Sequence, residues 1–200
     1  MKKITVLLLG IALVVFATDS QAQRIKLEQG NLSFLKGEKE INAEFVYDGM
    51  GVGKYAKEED YIARKTEEYN KKEPGKGDNW ARSWKADREA RYEPKFHELF
   101  AKTSGIASGN APSAKYTMIV KTLFTEPGYN IGVTRANASV NLEVTIVETE
   151  NKGNVLVKIS VQKAVGRTFG GFDFDTGLRI AEAYADAGKA LGAFVAKNAK

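Results

Sequence analysis

Asp175-Thr176-Gly177 is the sequence's sharpest chemical motif, because the same triplet carries the catalytic carboxylates of aspartic proteases. There two carboxylates share a proton, so that one acts as acid and the other as base. This chain holds one triplet, so a dyad would require a dimer. The triplet also opens an apolar-periodic segment instead of closing a strand. Asp175 therefore reads as a helix N-cap whose carboxylate accepts backbone amides. Gly49-Met50-Gly51-Val52-Gly53-Lys54 resembles a phosphate-cradling loop, but Asp48 stands where the first Gly of a P-loop belongs and Tyr55 where its Ser or Thr belongs. It reads as a flexible turn.

Two further groups bear on chemistry. Trp80 and Trp84, the only tryptophans, stand one helical turn apart, followed by Tyr92 and Phe96. They form either the core stripe of a helix or a flat aromatic pair for a sugar or a partner surface. Trp80, Trp84, Arg88 and Tyr92 are the candidate binding residues, with Asp78, Asp87, Arg82 and Arg91 as a polar rim or a solvated face. Glu58, Glu59, Asp60, Glu67 and Glu68 read as helix-surface charge, and no spacing among them singles out an acid and a base for glycoside hydrolysis. His97, the single histidine, reads as structural. No catalytic residue, metal ligand or cofactor site is assigned.

Composition bounds the rest. The 200 residues include no Cys, so disulfides and thiolate chemistry are excluded. With 43% hydrophobic residues the chain can build a core. The net charge of +5 is spread among many acids, unlike the one-sided basic patch of a nucleic-acid binder. Met1-Lys2-Lys3, the apolar run Ile4–Ala17 and the polar stretch to Ala22 follow the plan of a secretory signal peptide. Cleavage is expected after Ala22. The mature chain has no second long apolar run, so no integral membrane segment is expected after cleavage. An exported chain without cysteines fits a bacterial envelope, periplasmic or secreted.

These residues must be positioned by a single domain over 23–200. Ile41, Ala43, Phe45 and Tyr47 alternate as a half-buried strand, after a loop or short edge strand at 24–40. Residues 54–103 then carry 13 positive and 11 negative side chains, with acid-first i,i+4 pairs such as Glu67–Lys71 and Asp87–Arg91. Helices are expected at about 57–72 and 78–102, with Pro94 kinking or restarting the second. From 104 to 147 there are only five charges. Lys115–Thr125 is an apolar strand, and Glu126-Pro127-Gly128-Tyr129 a type II turn. Val140, Leu142, Val144 and Ile146 pair across Asn151–Asn154 with Val155, Val157, Ile159 and Val161 as an antiparallel hairpin. A terminal helix at about 176–197 turns Ile180, Tyr184, Ala187, Leu191 and Phe194 to the sheet. The fold class is α+β: an antiparallel meander of about four strands covered by helices, in the order β-α-α-β-β-β-α.

The three strands from Lys115 to Lys163, the Gly-rich loop Gly166–Gly171 and the Ala-rich terminal helix resemble uncharacterised secreted bacterial envelope proteins. More loosely they are similar to the periplasmic α/β domains of penicillin-binding-protein activators and curli-secretion lipoproteins. The resemblance covers under half the chain and rests on element order. It implies a binding or scaffolding role without catalysis, with an envelope protein or glycan as partner and no nucleic acid. It carries over no functional residue, and the charged two-helix segment departs from it. The other reading of the acids is a secreted hydrolase acting on glycan through Asp or Glu residues. Ligand identity and oligomeric state are not written in the sequence.

Overall fold

The computed structural model describes residues 24–167 and 174–200. The expected signal peptide and most of the Gly-rich loop lie outside the described residues. The chain is α+β. Its elements are β1 (Arg24–Gly30), β2 (Glu40–Val46), β3 (Gly51–Val52), α1 (Glu58–Asn70), α2 (Lys76–Asp87), a π-helical turn (Arg88–Tyr92), α3 (Glu93–Ser104), β4 (Ala107–Gly109), β5 (Tyr116–Glu126), β6 (Tyr129–Asn130), β7 (Arg135–Ala136), β8 (Ser139–Glu148), β9 (Val155–Val165) and α4 (Thr176–Asn198).

The sheet departs from the expected four-stranded meander. It has seven strands, in the order β1-β9-β8-β5-β2-β4, with β3 also on β5. The antiparallel run β5-β8-β9 is the expected meander, and β1 extends it antiparallel at the edge. β2 and β3, however, pair parallel with β5, and β4 parallel with β2. The reason is the length of the β2–β5 connection. Parallel neighbours need a long crossover, and all of α1, α2 and α3 lie within it.

Alternation sets which face is covered. Met118, Val120, Leu142, Val144, Ile146, Val157, Ile159 and Val161 are buried under α3 and α4. Glu143, Thr145, Lys158 and Ser160 stand on the opposite face, where Lys152 also pairs with Glu44 at 2.6 Å. Tyr184 of α4 reaches the sheet through a hydroxyl bond to Thr122 Oγ1 at 2.6 Å. Two glycines let α4 lie hard against α3. A Cβ at Gly188 would stand 2.3 Å from the Phe96 carbonyl oxygen, and one at Gly192 would stand 2.5 Å from that of Phe100.

The expected second helix is divided. Pro94 has no amide to donate, and the chain passes through the π-helical turn immediately before α3 begins. From that turn Arg88 reaches α1, Arg91 reaches α2 and the start of α4, and Tyr92 reaches α4.

Candidate functional site

The predicted aromatic residues come together, held by a carboxylate expected on the surface. Trp80 and Trp84 share one face of α2, ring centres 5.6 Å apart, with Tyr61 of α1 5.0 Å from Trp84 and Tyr69 5.7 Å from Trp80. Glu58, in the first turn of α1, is only 7% exposed. Its Oε1 accepts the Trp84 indole N–H at 2.6 Å, and both its oxygens accept from Arg88 Nη2 at 2.5 Å. The surface reading of Glu58 is thereby corrected. Its charge is tolerated at depth because an arginine, an indole and the helix N-terminus all face it.

The network continues into the sheet. The Arg88 guanidinium lies 4.2 Å above the Tyr47 ring, and Tyr47 donates to Glu93 Oε1 at 3.1 Å. Burial pushes the Glu93 carboxyl above its ordinary range, against the Tyr47 hydrogen bond and the Arg88 charge. Tyr92 is buried, its ring stacked on Tyr184 with centres 5.2 Å apart. Burial raises the pKa of its hydroxyl, which has no hydrogen-bond partner among the described residues. Of the four candidate binding residues, Trp84 and Tyr92 are thus interior, while Trp80 and Arg88 are partly exposed.

Beside Trp80 opens a cleft of about 470 Å³, lined by Tyr69, Trp80, Ser83, Asp87, Arg91 and Phe174 together with the start of α4. Its polar wall is a bridge of three charges. Arg91 donates through Nε to Asp87 Oδ1 at 3.1 Å and through Nη1 to Asp175 Oδ2 at 2.7 Å. Asp175 Oδ1 caps α4, accepting from the amides of Gly177 at 2.7 Å and Leu178 at 3.2 Å. The N-cap expectation for the Asp-Thr-Gly triplet holds. A Cβ at Gly177 would stand 2.1 Å from Asp87 Oδ2, so a larger residue there would have to displace that carboxylate.

The two carboxylates are shifted in opposite directions. Burial raises Asp175, but the Arg91 hydrogen bond and the helix amides outweigh it and hold the group below the usual range. Burial pushes Asp87 up, and the nearby Asp175 charge adds to this while Arg91 opposes it. Across the bridge lies a more apolar recess of about 450 Å³ between α3 and α4, lined by Ala90, Pro94, Leu178 and Ala181 with Lys95 and Glu98 at its rim.

The sequence pointed to Trp80 and offered Asp87 and Arg91 as a polar rim or a solvated face, but not Asp175 as their partner. The Asp87–Arg91 spacing was visible as a helix pair, whereas Asp175 arrives from 84 residues beyond Arg91. The segment Gly49–Lys54, expected as a flexible turn, instead contains the short β3, which pairs parallel with β5, and its Met50 and Val52 are buried. Among the described residues, no group of three or more His, Asp or Glu could hold a metal ion, and no helix is long and apolar enough to cross a membrane.

His97 sits half-buried with its ring edge-on to Phe45 and Nδ1 2.6 Å from Ser108 Oγ. Burial lowers its pKa below 6.5. The unfolded chain therefore binds more protons than the fold below that value, and stability falls as pH drops through it. Urea unfolding at pH 7.5 and 5.0 should show this loss, and His97→Gln should remove its share. An unchanged pH profile in that variant would place the dependence elsewhere.

No protein-family model matches the chain, and no curated protein matches it. Two solved structures are similar in chain trace. A PelC dodecamer from Paraburkholderia phytofirmans carrying one Leu-to-Met substitution is 12% identical with a TM-score of 0.39, over 82% of this chain and 97% of that one. The PelC dodecamer without the substitution is likewise 12% identical, with a TM-score of 0.37 over the same shares.

Proposed function

We propose that the protein is an exported, non-catalytic binding or scaffolding protein of the bacterial cell envelope, and that it contacts a glycan through the Trp80 cleft. The leader-like start and the resemblance to secreted envelope proteins support the location. The cleft supports the mode of action. A partly exposed aromatic wall packs against the apolar face of a sugar ring, while Ser83, Asp87 and Arg91 offer bonds to its hydroxyls. The observation that carries a binding role is the state of Asp175. One oxygen bonds Arg91 and the other accepts helix amides, which favour the ionised form and give the group a structural task as a cap.

The hydrolase reading has one observation in its favour: Asp87 and Asp175 are shifted apart in pKa, as an acid and its partner must be. One experiment separates the two. Envelope glycans are titrated into the chain beginning at Gln23, with tryptophan emission and product formation followed together. Binding predicts an emission shift, loss of affinity of about tenfold or more in Trp80→Ala, and no product. Product that disappears in Asp87→Asn would establish the hydrolase instead. Neither shift nor product across the panel would remove the glycan.

A further inference from the structure

The β6–β7 hairpin projects from the main sheet as a separate two-stranded unit, with Tyr129 opposite Ala136 and Asn130 opposite Arg135. Its tip holds Ile131, 65% exposed, and Val133, 94% exposed, with Tyr129 beside them at 47%. The turn is closed: Ile131 N–H donates to the Thr134 carbonyl at 3.1 Å, and Gly132 N–H to Asn130 Oδ1 at 2.9 Å. The base is braced from within. Arg179 of α4, only 3% exposed, donates to the carbonyls of Pro127 at 3.3 Å and Gly128 at 3.4 Å. A buried arginine thus supports a hairpin whose most exposed side chains are apolar.

Charge says what the tip meets. Arg135 is the only ionic side chain from Pro127 to Leu142. Arg24, where β1 starts, pairs with Gln162 close to the end of β9, and Val165 at that end pairs with Ser139, which follows the hairpin. Glu126, below the hairpin, is turned back onto the Gly128 amide at 3.2 Å. A convex apolar tip with cations behind it matches an anionic lipid surface, where apolar burial and charge attraction act together.

We propose that the β6–β7 hairpin is a membrane-surface anchor: Ile131 and Val133 enter the boundary between headgroups and acyl chains of an anionic bilayer, and Arg135 meets the lipid phosphates. The chain beginning at Gln23, which carries every element described above, is tested by flotation with vesicles of phosphatidylethanolamine and phosphatidylglycerol. The parent should float with them. The double variant Ile131→Asp/Val133→Asp should bind about tenfold more weakly or worse, with an unchanged melting temperature because both side chains are exposed. Arg135→Gln should bind a few-fold more weakly, with a shallower salt dependence. Absence of parent binding, or binding indifferent to the double variant, overturns the proposal. So does an oligomer in light scattering that the double variant dissolves while vesicles bind neither form, since a second copy would then cover the tip.

Discussion

Replacing Glu58 with alanine should lower the unfolding free energy by about 3 kcal/mol, the lower end of the range for breaking a buried ion pair. The variant leaves the Arg88 guanidinium half-buried without its carboxylate and the Trp84 indole N–H without an acceptor. The end of Arg88 that reaches solvent recovers some hydration, which keeps the loss from being larger. Urea unfolding followed by tryptophan fluorescence measures it. Removing both partners, in Glu58→Gln/Arg88→Met, should cost less than the sum of the single changes, because no charge is then stranded. A loss under about 1 kcal/mol in Glu58→Ala would mean that the aromatic packing of Tyr61, Trp80 and Trp84 holds α1 to α2 without the acid.

Gly188→Val should be comparably severe, at about 3 kcal/mol. The atom that a Cβ would meet is a backbone oxygen of α3, which cannot swing aside as a flexible side chain can. Either α4 moves off the sheet, breaking the Tyr184–Thr122 hydrogen bond, or the helices separate. The sharper test is Gly188→Ala. In an open helix that change is favourable by about 1 kcal/mol. Here it should be unfavourable, because the Cβ alone creates the clash. A melting temperature that rises in Gly188→Ala would show that α3 and α4 have room to spare.

Much of the fold is legible where a residue's partner is close in sequence. The hairpin of β8 and β9 follows from strict alternation across Asn151–Asn154, and α4 from Asp175 and the stripe it caps. Pro94 marks the break between α2 and α3. What stays hidden depends on distant contacts. Nothing in Ile41–Tyr47 says that this strand will lie parallel to β5, because the helices between them decide it. Gly188 and Gly192 look like unremarkable members of an Ala-rich helix until α3 is placed beside them. Glu58 looks like its neighbours Glu59 and Asp60, and only the arrival of Trp84 and Arg88 makes it an interior residue. The aromatic half of the cleft was visible through i,i+4 spacing. Of its charged half, Asp87 and Arg91 were visible as a helix pair, whereas Asp175 was not, because it meets Arg91 only through tertiary folding.

The pairing of β1 with β9 also sets an order in time. Leu27 finds Ile159 only after more than a hundred intervening residues have emerged, and a closure of that length is slow compared with the local hairpin β8–β9. The strand nearest the N-terminus is thus the last to find its neighbour as the chain is made. Until Gln162 has appeared, β1 has no complete partner in the sheet.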